Sequence, residues 1–154
     1  MKKEGFSLAE ILVVIAIFGL LAMIAVPNML ATRISTNEST AVSSLGSIFS
    51  AAQSYRMSAG NLLPVSIADL QNATPTYGNF CPDVSDCRNN GYIFQISGTG
   101  LDTDFLVTAV PQAYGTQGKR KFCITTDGVI RFLDNGTITP PDNVSTCNGW
   151  TSLD

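Results

Sequence analysis

Polar side chains disappear from the chain between Ile11 and Val26, after a basic start and a lone acid at Glu10. As a helix rising about 1.5 Å per residue, that run spans roughly 24 Å, short of a bilayer core of about 30 Å. Adding Phe6, Leu8, Ala9, Met29 and Leu30 completes a span. Beyond Pro27 the pattern becomes amphipathic. Leu30, Ile34, Ala41, Leu45, Ile48, Ala52, Tyr55 and Ala59 recur three, four or seven apart and share one helical face, widened by Val42 and Phe49 and interrupted by Glu38. The opposite face carries Ser, Thr and Asn, which are mediocre helix formers, so this segment depends on docking. Gly60-Asn61, followed by Pro64, ends it. The pattern predicts one helix over residues 7–59, about 80 Å long. Its upper half packs on a sheet, and its lower half is left to lipid or to its own kind.

Residues 62–90 are rich in Asn, Pro, Ser, Thr and Gly and predict an irregular connector with a short helical turn at 66–71. After Gly91 the signals are strand-like: residues 92–96, 105–110, 122–125 and 129–133 are short, aromatic or β-branched, and separated by Gly and Asp. Thr126-Asp127-Gly128 predicts a tight hairpin in which Asp-Gly supplies a pair of positive-φ residues. The fold class is therefore α+β, a long N-terminal helix on an antiparallel sheet of about four strands, with a loop-rich tail from residue 134. The expected segments are a leader (1–5), a membrane or core helix (6–30), an amphipathic helix (31–60), a connector (61–90) and a sheet with its C-terminal region (91–154). Residues 31–154 form one globular domain.

Charge and cysteines fix the compartment. Lys2 and Lys3 precede the apolar run, and no comparable cluster follows it, so the positive-inside rule keeps the N-terminus cytoplasmic and exports the rest. Cys81, Cys87, Cys123 and Cys147 in an exported domain point to two disulfides. Of three formal pairings the sequence-local one, Cys81 with Cys87 and Cys123 with Cys147, is favoured; its loops contribute about 2.4 and 3.5 kcal/mol by chain entropy. Zinc is disfavoured, since the chain has no histidine and no C-x-x-C spacing. Without histidine there is no Ser/His or Cys/His nucleophile pair, and the aspartates lie in turn-like sequence where they cap backbone amides. No catalytic or cofactor site is expected. Asp102-Thr103-Asp104 is one acidic pair without further spaced ligands for calcium.

An acid in hydrocarbon costs roughly 2.5–3.5 kcal/mol on insertion scales, so Glu10 needs a partner or a function. Cutting the chain between Gly5 and Phe6 would create an ammonium at Phe6, and that group on a neighbouring copy could neutralise Glu10. The run Gly5-Phe6-Ser7-Leu8-Ala9-Glu10-Ile11-Leu12-Val13-Val14-Ile15-Ala16-Ile17 resembles the class III leader of type IV pilins and related pseudopilins. The resemblance implies cleavage after Gly5 by a prepilin peptidase, methylation of Phe6, and pairing of Glu10 with the terminal amine of an adjacent subunit. It also places Gly19 and Pro27 where pilin helices loosen or kink. Losing Lys2, Lys3 and Glu4 takes Lys plus Arg from 9 to 7 and Asp plus Glu from 12 to 11, leaving −4.

The implied function is a structural subunit of a type IV pilus-like filament, a homo-oligomer that resides as a single-pass inner-membrane protein, meets the inner-membrane assembly machinery, and ends on the cell surface. The alternatives are a type II secretion pseudopilin or a minor pilin acting as an adhesion or DNA-binding module. Lys119-Arg120-Lys121 is the only basic cluster in the exported part; it reads as a solvated strand edge, and the composition argues against a nucleic-acid partner. Asn-x-Ser/Thr matches at Asn37, Asn72, Asn135 and Asn143 are chance, and Phe18, Phe49 and Tyr55 are packing groups.

Overall fold

The apolar run and the amphipathic stripe form one unbroken helix, α1 (Leu8–Ser58, 51 residues), in a computed structural model that describes residues 6–83, 86–98 and 104–153. The helix stops where Gly60 and Asn61 adopt φ of 67° and 75°, a region that glycine and asparagine tolerate best. The Asn61 N–H donates to the Arg56 carbonyl at 2.9 Å, and Arg56 Nε donates to Asn61 Oδ1 at 3.1 Å.

The chain divides into two compact units, Met1–Arg33 and Ile34–Asp154. In the first, every described residue is exposed, and α1 passes through Gly19 and Pro27 without interruption. This is the one helix among the described residues long and apolar enough to cross a membrane.

The second unit holds the sheet, in the order β1 (Arg88–Asn89), β2 (Tyr92–Ser97), β3 (Leu106–Pro111), β4 (Lys121–Thr125), β5 (Ile130–Leu133) and β6 (Thr151–Ser152). All neighbours are antiparallel. The four inner strands coincide with the four sequence segments. The count of about four becomes six because β1 and β6, two residues each, are too short to show any alternation. Ahead of β1, α2 (Ile67–Gln71) occupies the expected turn, its start held by Asp69 Oδ2, which accepts from Val65 N and Ser66 N at 2.8 and 2.9 Å.

Alternation along the strands sends side chains to two different covers. Tyr92, Phe94, Ile96, Val107, Ala109, Phe122 and Ile124 share a core with Ala41, Leu45, Ile48 and Ala52 of α1. On the opposite face Leu106 and Cys123 meet the tail through Val144 and Cys147 of α3 (Val144–Asn148) and through Trp150. Disulfides join Cys81 to Cys87 and Cys123 to Cys147, with Cα separations of 5.1 and 6.1 Å.

The β4–β5 hairpin departs from the expected turn. Gly128 has φ 77°, but Asp127 is not a positive-φ residue, and the Gly128 N–H donates to the Thr125 carbonyl at 3.0 Å. The Asp127 carboxylate explains the difference: Oδ1 accepts from Thr125 Oγ1 and from Val129 N at 2.8 and 3.0 Å. A side chain that closes the turn in this way needs only one left-handed residue after it.

Candidate functional site

Two places carry chemistry, one in each unit. The first is the start of α1. Ser7 acts as the N-cap: its Oγ accepts from Ala9 N at 3.3 Å, and its own N–H donates to Glu10 Oε2 at 2.8 Å. The Ser7-x-x-Glu10 spacing is a capping box, a role for the acid that the hydropathy pattern did not disclose although S-x-x-E was legible in it. An ionised carboxylate offers about four acceptor positions, so the cap leaves capacity for a cation. Below and above it the side chains of Phe6, Leu8, Ile11, Leu12 and Ile15 are bare. Among the described residues of this unit, such a helix can do one thing well: exchange apolar contact with lipid or with another apolar helix, using Glu10 as its polar mark. Phe6 lies at the described start of the chain, fully open; Gly5 lies outside the described residues, as do Asp102 and Thr103 of the acidic pair.

The second place surrounds Glu38, the interruption in the apolar stripe. It is 5% exposed. Oε1 accepts from the backbone N–H of Lys119 and of Arg120 at 2.9 and 3.1 Å, and Oε2 accepts from Arg120 Nε at 2.7 Å. The neighbouring Asn37 donates from Nδ2 to the Gln117 carbonyl at 2.8 Å. Tyr92 donates from its hydroxyl to the Arg120 carbonyl at 2.7 Å. Burial, reinforced by the nearby Glu38 charge, pushes the Tyr92 phenol far above its ordinary range, so it remains a donor. Arg120 completes the cluster by lying over the Phe122 and Phe132 rings, 5.6 and 5.3 Å from their centres.

The basic triplet is therefore not a solvated edge. β4 is an inner strand, flanked by β3 and β5. Lys119 is exposed, but Arg120 pairs with Glu38 and Lys121 is 4% exposed. Lys121 Nζ donates to Thr137 Oγ1 and to the Thr139 carbonyl at 3.0 and 2.9 Å, and burial pushes its pKa down. Sequence alone could not show that the strand is internal, and with it the meaning of its charges.

The remaining candidates have local roles. Asn37 belongs to the Glu38 cluster, Asn143 caps α3 by accepting from Thr146 N at 2.8 Å, and Asn135 Oδ1 accepts from Thr137 Oγ1 at 2.8 Å. The serine face of α1 satisfies itself: Ser43, Ser47, Ser50 and Ser54 each donate to the carbonyl four residues earlier, which lets poor helix formers persist in a docked helix. Among the described residues no group of three or more acids or cysteines is placed to hold a metal.

Comparison with known proteins bears on the first place directly. Residues 1–26 match the family described as the prokaryotic N-terminal methylation motif. The chain is similar to type II secretion system core protein G of Escherichia coli (strain K12), 38% identical over 108 residues that cover 69% of this chain and 72% of that protein. Core protein G of Pectobacterium carotovorum subsp. carotovorum is 32% identical over 104 residues, 68% of this chain and 65% of the relative. The type IV major pilin protein PilA of Myxococcus xanthus (strain DK1622) is 29% identical over 146 residues, 93% of this chain and 57% of that protein. The chain thus spans less than two thirds of the length of several relatives. No solved structure matches.

Proposed function

The chain belongs to the type IV pilin and type II secretion pseudopilin family, and on that premise we propose that it is a structural subunit of an extracellular pilus-like filament. The observation that carries this reading is the bare apolar half of α1 with Glu10 in its first turn. In the proposed sequence a prepilin peptidase cuts between Gly5 and Phe6, Phe6 is methylated, and the subunit waits in the inner membrane as a single span. The subunits are then extracted into a homo-oligomeric helical filament by inner-membrane machinery. Helix contacts replace lipid contacts of similar apolarity, so packing and the pairing of Glu10 with the Phe6 ammonium of the next copy provide the net drive. Gly19 lacks a side chain to resist local unwinding, and Pro27 lacks an N–H for the ladder, so both suit a helix that stretches as it packs. The segments 1–5, 6–30 and 31–154 would then be leader, filament core and surface domain.

The sequence relationship to core protein G favours a second reading, a subunit of a type II secretion pseudopilus. The match to PilA extends over more of this chain, 93% against 69% for the Escherichia coli relative, which supports the pilus reading first. Three measurements test the proposal. Mass spectrometry of the exported protein should find an N-terminal methylated Phe6; an intact initiator methionine would overturn it. Glu10→Ala should insert and be processed yet form few filaments by electron microscopy, and deletion of the gene should abolish surface filaments rather than protein secretion.

A further inference from the structure

The Glu38 cluster sits at a particular height on α1. From residue 6 to residue 33 nothing on the helix is covered, Ile34 is the first half-buried position, and Glu38 is the first fully buried one. Within the second unit, Asn37 and Glu38 reach a single loop, the β3–β4 connection, at Gln117, Lys119 and Arg120. That loop is also held by Tyr92, and it passes Tyr92 so closely that a Cβ on Gly118 would lie 2.1 Å from the phenolic oxygen. The apolar stripe alone would bind α1 to the sheet through Ala41, Leu45 and Ile48, contacts that are non-directional and that tolerate sliding by a turn. A buried carboxylate that receives two backbone N–H groups and a guanidinium tolerates neither sliding nor rotation, because the acid moved off those donors would stay buried without them.

We infer that Asn37 and Glu38 form a clamp that sets the boundary of independent motion on α1. Residues before 34 unwind or shift without disturbing the sheet domain, and residues from 37 onward move only with it. In a filament under tension this clamp is the first directional, fully buried contact at which axial load enters the domain, a consequence that rests on the filament reading. The clamp itself does not.

Hydrogen exchange followed by mass spectrometry tests it on the full chain as single copies in detergent micelles, so the outcome is independent of whether filaments form. Glu38→Gln keeps an acceptor for the two amides but loses the ion pair and turns an N–H toward Arg120. Exchange should rise at least about tenfold in residues 37–44 and 117–121, while β2 and β3 remain protected. Asn37→Ala should raise exchange in the same two segments by a smaller factor. Leu45→Ala, which opens the core without touching the clamp, should instead raise exchange across helix and sheet together. The inference is overturned if Glu38→Gln leaves both segments protected, or if it deprotects β2 and β3 as strongly as the helix. Either result would make Glu38 an ordinary buried group.

Discussion

Lys121 Nζ stands 5.2 Å from the centre of the Trp150 ring. It is one of three consecutive outward positions on β4, each of which holds the tail: Lys121 binds Thr137 and Thr139, Cys123 is bonded to Cys147, and Thr125 Oγ1, whose proton goes to Asp127, lies 3.2 Å from the Asn148 side-chain amide. The intervening residues, Phe122 and Ile124, face α1. A single strand thus fastens both covers of the sheet. Lys121→Ala should free residues 134–150 to limited proteolysis and lower stability by about 2 kcal/mol, the scale of a buried charged donor with its ring contact. Because burial lowers the Lys121 pKa, the folded state disfavours its charged form. The stability of the wild type should therefore rise relative to Lys121→Met as pH climbs toward the ordinary lysine range, and a flat difference between the two would contradict this placement.

The two disulfides should differ in what they contribute. Cys123–Cys147 closes a loop with a sequence separation of 24, and Cys81–Cys87 one of 6. Chain entropy then gives about 3.5 and 2.4 kcal/mol. Replacing the Cys123–Cys147 pair by serines should lower the thermal midpoint more than replacing Cys81–Cys87, and its loss should also detach the tail from β4. Thermal denaturation of the two double variants gives the order directly.

The features legible in the sequence were those written in periodicity. The period of the apolar stripe placed Ala41, Leu45, Ile48 and Ala52 in the core, and alternation with Gly and Asp punctuation found the four inner strands. What stayed hidden depends on which strands are neighbours. Arg120 and Lys121 look like surface charges until β5 is known to flank β4, and Glu38 looks like a blemish until the loop it receives has folded back across more than 80 positions of chain. The serine-capped start at Ser7 is legible as S-x-x-E, a local bond that the apolar pattern around Glu10 does not reveal.

Asp127 should make the β4–β5 hairpin sensitive to acid. Its carboxylate binds Arg131 through Oδ2 at 2.6 Å. The Arg131 side chain, with the Val129 and Thr125 donors, outweighs partial burial and holds the pKa at about 2. A carboxylate depressed in the folded state stabilises fully above its unfolded pKa of about 3.9, and the contribution fades as pH falls toward 2. The side chain is 40% exposed, so solvent screening keeps the effect small, below about 1 kcal/mol. Asp127→Asn should therefore be slightly less stable than wild type at neutral pH, and the two should converge near pH 2. Urea midpoints taken across that window check the sign.

Ser7 and Glu10 allow the local and the intersubunit roles of the acid to be separated. Ser7→Ala removes the Oγ that receives Ala9 N but leaves the carboxylate, at a cost of about 1 kcal/mol in helix stability, confined to the first turn. Glu10→Gln keeps an oxygen that can receive Ser7 N and removes the charge. If Glu10 acts by neutralising a neighbour's ammonium, Ser7→Ala should form filaments at near wild-type numbers while Glu10→Gln forms few. If it acts as a cap, the order reverses, since an uncharged amide still caps and a missing hydroxyl does not. Counting surface filaments for the two variants, with processing verified in both, distinguishes an electrostatic contact between copies from a bond within one.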